Sequence, residues 1–220
     1  LPVHDDSLTI LRNLNLPTSG MEPLYWQYHQ PMIEGEFKAM AHQVTSAAFM
    51  ASHKRCYNLS TMRTGKTGSV VMCTDYLQSV KGVLGAVLIV ATVSNLTGVW
   101  YHTISTTLPH KKAVIVHGGT GKKDRLRKLR TMADYYIINY DGIKMVADEL
   151  CKMVEQERIS IVVIDELTHY GNTKSQRFQA MSSIINGKRK VPYVYGLTGS
   201  PGENPIPIFG FAKMVTPDKL

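Results

Sequence analysis

The order of apolar and polar positions along the chain predicts strands that alternate with helices. Six short runs are apolar at successive positions rather than at every second one, which is typical of strands buried on both faces of a sheet. The predicted strands are 56–60, 86–91, 113–117, 135–139, 161–165 and 193–197. Between them apolar residues recur at helical spacing. The predicted helices are 68–79, about 97–105, 124–133, 142–157 and 175–185.

Alternating strands and helices require crossover connections, which favour a mostly parallel sheet between two layers of helices. We therefore predict the α/β fold class, as a three-layer domain over residues 39–220. Residues 1–38 are predicted to form an irregular segment packed on that domain, because Pro17, Gly20, Pro23 and Pro31 interrupt any regular pattern. In such sheets ligands bind beyond the carboxyl ends of the strands. The turns after the predicted strands are therefore the places to search for chemistry.

Composition narrows the class of protein. The chain has 220 residues, of which 44% are hydrophobic and 19% charged, and this balance is typical of a folded domain rather than a disordered chain. The longest apolar run, 83–91, is far below the ~18 residues of a membrane helix, so we expect no membrane partner. Three widely spaced cysteines and an N-terminus without a leader pattern predict a cytoplasmic or nucleoid-associated protein that is not secreted.

Charge adds a candidate surface. The net charge is +8, which favours polyanionic partners. Residues 111–130 hold eight basic residues and one acid, Asp124. Leu126, Leu129 and Ala133 have the spacing of a buried helical stripe, so we expect the basic residues to face outward. Either this is an ordinary solvated helix face, or it binds phosphates; the second interpretation selects Lys122, Lys123 and Arg125 as nucleic-acid contacts.

A candidate phosphate-binding loop follows the first predicted strand. Residues 60–67 read Ser-Thr-Met-Arg-Thr-Gly-Lys-Thr and lead directly into a predicted helix. Backbone N–H groups and the positive end of the helix can hold phosphate there, a lysine can neutralise it, and a threonine hydroxyl can ligate Mg²⁺. The alternative is an ordinary loop with a solvated lysine. The nucleotide-binding residues predicted here are Arg63, Thr64, Gly65, Lys66, Thr67 and Gly68.

Two adjacent carboxylates end the fifth predicted strand. Asp165 is expected to hold Mg²⁺ together with Thr67, and Glu166 to orient and deprotonate the water that attacks a γ-phosphate. Their catalytic partner is Lys66. The alternative is a strand-end turn with a helix cap, where acids are also favoured. After the sixth strand, Thr198 and Ser200 form a hydroxyl-rich turn that can hydrogen-bond the acidic pair.

Six segments in sequence order resemble the motifs of the first RecA-like lobe of superfamily-two helicases, and most of all those of the Swi/Snf-type DNA translocases. They cover most of the chain from residue 40 to residue 217. The segments are 40–43 with 48–49 (the Gln motif), 60–67 (motif I), 88–94 with 99–100 (motif Ia), 138–141 (motifs Ib and Ic), 165–169 with 171–172 (motif II) and 197–204 (motif III). The chain departs from the family pattern at Ser60, Arg63, Leu167 and Asn139.

The resemblance implies further roles for single residues. Gln43 becomes the contact to adenine, and His169 becomes the link between motif II and motif III, with Thr198 and Ser200 as its coupling partners. The nucleic-acid backbone is placed across three residues at the carboxyl edge of the sheet. These are Ser94, Asn139 and Tyr140.

The function implied by the resemblance is the ATP-binding lobe, a RecA-like P-loop NTPase domain, of an ATP-dependent translocase or helicase. ATP and Mg²⁺ are the implied cofactors, and DNA, double-stranded in preference, is the implied partner. A second RecA-like lobe of the same parent protein is a further implied partner. It is absent from this chain, so we expect the isolated chain to be nearly inactive. Three alternatives stay open: a strand-separating helicase, a restriction-type motor subunit, and a non-catalytic nucleotide-binding scaffold in which Arg63 obstructs the loop.

Overall fold

The computed structural model of the protein describes residues 10–16, 39–119, 121–200 and 205–219. The predicted irregular segment 1–38 therefore lies outside the described residues except for 10–16, of which 10–13 are helical. Among the described helices, none is long and apolar enough to cross a bilayer.

Six parallel strands form one sheet in the order β1-β6-β5-β2-β4-β3. The strands are β1 (Arg55–Asn58), β2 (Ala86–Ala91), β3 (Ala113–Ile115), β4 (Tyr135–Asn139), β5 (Ile159–Ile164) and β6 (Tyr193–Leu197). The predicted α/β class with a mostly parallel sheet is confirmed. Because every strand runs in the same direction, all six carboxyl ends lie at one edge of the sheet.

In the described residues from 39 onward, seven helical elements precede, connect or follow the strands. They are α1 (Ala41–Ser52), α2 (Lys66–Ser79), α3 (Val93–Asn95, continuing as a π-helix at Leu96–Tyr101 and ending as His102–Thr107), α4 (Lys122–Arg130), α5 (Tyr140–Glu155), α6 (Gln176–Asn186) and α7 (Pro205–Val215). Short 3-10 helices follow at Leu167–Tyr170 and Pro217–Lys219. The sequence pattern missed α1 and α7 and placed the start of α3 too late.

The sheet is covered on both faces by apolar side chains. Along β2, Ala86, Leu88 and Val90 belong to one buried cluster, whereas Val87, Ile89 and Ala91 belong to a second. Alternate residues of a strand point to opposite faces, so the two clusters lie on opposite sides of the sheet. This is the predicted three-layer arrangement.

The prediction of strands buried on both faces is wrong for β1 and β3. All six residues of β2 and of β5 are buried, whereas β1 alternates between half-buried and buried residues and β3 is half-buried throughout. Both are edge strands, each paired to a single neighbour, so less of the helical layers covers them. The three strands central to the site, β1, β6 and β5, are adjacent.

Candidate functional site

The loop after β1 has the backbone shape of an anion cradle. Gly65 precedes α2 with a left-handed φ of 74°, and Lys66 is the first residue of the helix. The unpaired N–H groups and the positive dipole of α2 therefore point at the loop. Thr67 and Gly68 follow in the first turn of α2, with Gly68 buried and Thr67 half-buried. The predicted phosphate-binding residues thus lie around one helix N-terminus.

The ammonium of Lys66 lies across the mouth of this loop. Its Nζ donates to the carbonyl oxygens of Ser60 at 2.8 Å and Thr61 at 3.0 Å, and the Thr64 hydroxyl also donates to the Thr61 carbonyl at 2.9 Å. The loop therefore presents a positive charge and a helix N-terminus at the same place.

Gln43 braces the loop from α1. Its buried amide donates from Nε2 to the carbonyls of Thr64 at 3.4 Å and Gly65 at 3.3 Å, while its Oε1 accepts from the Met40 N–H at 2.9 Å. A ring nitrogen of His42 lies 2.9 Å from the Thr64 carbonyl. A Cβ at Gly65 would overlap the Gln43 amide, so the close approach requires glycine. The adenine contact of Gln43 stays a prediction; its bracing of the loop was not predicted.

Arg63 stands at the tip of the loop. Its side chain is exposed and its φ is 62°, a left-handed conformation that costs a residue other than glycine about 1–2 kcal/mol. Backbone strain of this kind is concentrated at functional sites. In the described part of the chain no hydrogen bond holds the Arg63 guanidinium, and the residue is exposed to solvent.

The carboxylate of Asp165 lies directly after β5, and its main-chain N–H continues the pairing with β2 by donating to Val90. Its Oδ2 accepts from the indole Nε1 of Trp100 at 2.9 Å and from Nδ2 of Asn95 at 3.3 Å. Burial raises the pKa of Asp165 above its usual value, these two hydrogen bonds oppose that rise, and the nearby Glu166 charge adds to it. The group is a desolvated carboxylate with two dedicated donors.

Glu166 connects β5 to the turn after β6. It has a left-handed φ of 54°, and its Oε1 accepts from the hydroxyls of Thr198 at 2.7 Å and Thr168 at 3.1 Å. Thr198 is fully buried, and its hydroxyl also accepts from the Ser200 N–H at 3.2 Å. Gly199 lies so close to Met62 of the phosphate loop that a Cβ there would come within 2.9 Å of the Met62 Cγ. The turn after β6 thus touches both the acidic pair and the loop.

His169 is placed differently from its predicted role. It lies on the 3-10 helix after Glu166, and its ring packs on Tyr140 with the ring centroids 4.5 Å apart. Among the described residues no hydrogen bond joins it to Thr198 or Ser200. The link between the two turns runs through the Glu166 carboxylate and the Thr198 hydroxyl instead.

Of the residues predicted to contact nucleic acid, three are exposed and three are buried. Ser94, Lys122 and Lys123 are exposed. Arg125, Asn139 and Tyr140 are 7%, 6% and 5% exposed. The expectation that all the basic residues of 111–130 face outward is therefore wrong for Arg125. Of the six predicted nucleic-acid contacts, only Ser94, Lys122 and Lys123 are therefore accessible from solvent.

Arg125 is buried because it fills a polar pocket between the loop after β3 and the end of β4. Its NH1 donates to the carbonyl of Val116 and, at 3.1 Å, to Oδ1 of Asn139, and its NH2 lies 3.3 Å from Nδ1 of His117. A Cβ at Gly142 would overlap the guanidinium. Arg125 and Asn139 therefore bond one another behind the loop, and Oδ1 of Asn139 also lies 3.1 Å from Nδ1 of His117.

Tyr140 is turned toward the acidic pair. Its hydroxyl donates to the main-chain carbonyl of Asp165, and its ring also meets Tyr170 edge-on, with the centroids 5.6 Å apart. Burial raises the pKa of the Tyr140 hydroxyl, and the charge of Asp165 adds to the rise. This residue joins the end of β4 to the end of β5.

The remaining basic side chains of α4 differ in how far they are neutralised. Asp124 pairs with Arg127 at 2.6 Å and with Lys128 at 3.2 Å. Lys122 and Lys123 make no ion pair with any described acidic residue and are exposed. Arg130, at the other end of the helix, is exposed too. Lys122 and Lys123 are therefore the accessible, unneutralised charges at the start of α4.

The oxygen ligands available at the phosphate loop and the acidic pair determine which kind of metal ion could bind there. In the ranges that the structure describes, no cluster of three or more His, Cys, Asp or Glu side chains could hold a metal by itself. Thr67 and Asp165 offer one hydroxyl and one carboxylate. Such a sparse oxygen set suits a cation that also takes ligands from phosphates and water, as Mg²⁺ does.

The sequence model of a family described as SNF2-related domain matches residues 42–218. Among solved structures, the chain is similar to a Sulfolobus solfataricus SWI2/SNF2 ATPase core in complex with dsDNA, with a TM-score of 0.67 and 20% sequence identity. The match covers 86% of this chain and 38% of that chain, so the present sequence spans less than half of the length of its structural relative. No curated protein matches.

The buried guanidinium gives a test by substitution. We expect Arg125→Met to lower the free energy of unfolding by about 2 kcal/mol, because it removes the hydrogen bonds that a charged donor makes to the Val116 carbonyl and to Oδ1 of Asn139. We expect Gly142→Ala to be destabilising as well, although alanine in a helix normally stabilises by about 1 kcal/mol over glycine. Urea unfolding measures both.

Gly98→Ala is the matched control, because a Cβ at this helical glycine meets nothing within 4 Å. It is expected to be neutral or stabilising. If Arg125→Met left the stability unchanged, Arg125 would be a surface residue after all, and the buried pocket would be refuted.

Proposed function

Because the chain belongs to the SNF2-related domain family, we propose that it is the ATP-binding lobe of a motor that couples ATP hydrolysis to movement along double-stranded DNA. One observation carries the proposal: Lys66, Asp165 and Glu166 meet at the carboxyl edge of three adjacent strands, with Thr198 bonded to the Glu166 carboxylate. A phosphate cradle, a metal-holding carboxylate and a base are the parts that phosphoryl transfer to water requires.

The phosphates of ATP would lie on the loop at the N-terminus of α2. Lys66 would exchange its bonds to the Ser60 and Thr61 carbonyls for bonds to β- and γ-phosphate oxygens, which are stronger acceptors because they are charged. Thr67 and Asp165 would hold Mg²⁺, which neutralises charge on the phosphates when it is bound. The exposed position of Arg63 leaves the cradle open and argues against the scaffold alternative.

Glu166 would orient and deprotonate the attacking water. Its Oε1 is already engaged by Thr198 and Thr168, so the carboxylate has a fixed direction. Loss of the γ-phosphate would change the charge facing Glu166, and Thr198 would carry that change into the turn after β6. The turn lies against the phosphate loop and is the segment best placed to signal to a second lobe.

The DNA would lie along the same edge of the sheet. Ser94 after β2 and the pair Lys122 and Lys123 at the start of α4 are the exposed groups there. The structural relative holds dsDNA, which favours double-stranded DNA as the substrate over a separated strand. A second RecA-like lobe would complete both the DNA track and the ATP site, and an arginine supplied across such a cleft contributes about 10³–10⁵ in rate.

Nucleotide binding is tested by calorimetry of this chain with Mg-ATP. We expect Lys66→Ala to weaken binding at least tenfold, which is about 1.4 kcal/mol, since it removes a charge-assisted contact to phosphate. Lys123→Ala, on exposed α4, is the control and should bind ATP like the wild type. Absence of binding by the wild type, or equal binding by Lys66→Ala, would contradict the proposal.

DNA binding is tested by a salt titration with a duplex. The double variant Lys122→Ala, Lys123→Ala should bind more weakly and reduce the slope of log K against log salt by about 2, because each phosphate contact contributes about 0.9. Lys152→Ala with Lys188→Ala is the charge-matched control, since both lysines are exposed and lie far from the carboxyl edge. If the salt slope of the Lys122, Lys123 variant equalled that of the wild type, these two lysines would not be part of the DNA site.

A further inference from the structure

Trp100 is the largest side chain near the acidic pair, and it is fully buried. It lies within the π-helical stretch of α3, Leu96–Tyr101, whose end is marked by a bond from the His102 N–H to the Thr97 carbonyl, five residues back. Single π-helical turns are frequent at functional sites. The indole Nε1 reaches Oδ2 of Asp165 at 2.9 Å.

The π-helix explains how two donors of one helix reach the same oxygen. Asn95 and Trp100 are five residues apart, and on a regular α-helix their side chains would point about 140° apart. Bonding from residue i to residue i+5 widens the turn and brings these two positions onto nearly the same face. As a result, Asn95 Nδ2 and Trp100 Nε1 both donate to Oδ2 of Asp165.

The two donors both bond Oδ2 of Asp165 and leave the other carboxylate oxygen to other partners. In the described part of the chain no hydrogen bond is made to Oδ1. An indole N–H is a donor only, so Trp100 can bond only an oxygen with a free lone pair and fixes the rotation of the carboxylate. Outer hydrogen bonds of this type orient metal-holding carboxylates and are worth about 10–100-fold in metal affinity.

We propose that Trp100 and Asn95 are positioning residues that orient the Asp165 carboxylate toward its cation, an inference that rests on the proposed function. They act through Asp165 and touch no reacting atom. Asn95 directly follows Ser94, the exposed residue at the proposed DNA edge. One short helix therefore joins the DNA side of the site to the metal side.

The first test reads the hydrogen bond directly. The sequence has two tryptophans, so a ¹⁵N-labelled chain with Trp26→Phe shows a single indole N–H signal, that of Trp100. Asp165→Asn should move this signal upfield, because a neutral amide oxygen is a weaker acceptor than a carboxylate. Asp141→Asn, at an exposed acid of α5, should leave it in place. If the chemical shift of the indole N–H is the same in Asp165→Asn as in the parent chain, the proposal is overturned, whether or not nucleotide binds.

The second test measures the Mg²⁺ concentration that gives half-maximal binding of a fluorescent ATP analogue. Trp100→Phe should raise it about tenfold while binding without Mg²⁺ stays unchanged. Tyr135→Phe is the matched control, because Tyr135 is fully buried in the same core cluster and bonds Thr74 at 3.0 Å, away from Asp165. It loses one buried hydrogen bond and should leave the Mg²⁺ midpoint where it is.

Asn95→Ala gives the same test without disturbing the core, because Asn95 is half-buried. A smaller rise of the Mg²⁺ midpoint is expected, since its bond is the longer of the two. Equal midpoints in Trp100→Phe, Asn95→Ala and the control would overturn the positioning role. If the wild type bound no analogue at any Mg²⁺ concentration, the proposed function would fail instead, and the indole signal would still decide the positioning role.

Discussion

The placement of one carboxylate, that of Asp165, constrains the rest of the site. It follows a strand of which every residue is buried, so an ionised group there loses much of its hydration. The structure compensates with donors from two directions: Asn95 and Trp100 bond the side chain, and Tyr140 bonds the main-chain carbonyl. Both α3 and the start of α5 must therefore pack against the end of β5. The half-buried acid thereby fixes the ends of β2 and β4 relative to the proposed ATP site.

The same edge separates the groups that we propose to bind nucleic acid from the groups that support them. Ser94, Lys122 and Lys123 are exposed, whereas Arg125 and Asn139 lie behind them and bond one another. A comparable division exists at the phosphate loop. Its helix end and Lys66 face the ligand position, and Gln43 holds the loop carbonyls from the side. Support of this kind keeps backbone N–H groups in one arrangement, which is the requirement for electrostatic stabilisation by preformed dipoles.

The sequence predicted the architecture well because the buried strands of a parallel sheet are continuous apolar runs. Residues 86–91, 135–139 and 193–197 were placed with the bounds that the structure shows. It failed for Arg125 because helical spacing identifies the apolar stripe but does not reveal that a neighbouring cation has its own polar pocket. That pocket is built by Asn139 and Gly142, which are distant in sequence. The role of Gln43 as a brace was missed for the same reason, since its partners lie 21 and 22 residues away.

The bond between Trp100 and Asp165 could be predicted from the sequence only in part. A buried indole N–H needs an acceptor, and the acid after β5 is the nearest strand-end group that could supply one, but only the π-helical turn makes the geometry possible. No propensity scale predicts such a turn. The chemistry of this site therefore depends on the turns that follow parallel strands, which the sequence predicts, and on irregular backbone, which it does not.

The account depends most on the claim that the carboxyl edge of the sheet is where Mg-ATP binds. Hydrogen–deuterium exchange of this chain, with and without saturating Mg-ATP, tests it most directly. The account predicts slower exchange in residues 60–68 and 165–170 and no change in 80–85 and 131–134, which connect elements at the opposite edge. Protection confined to the opposite edge, or no protection under conditions in which ATP is bound, would contradict it.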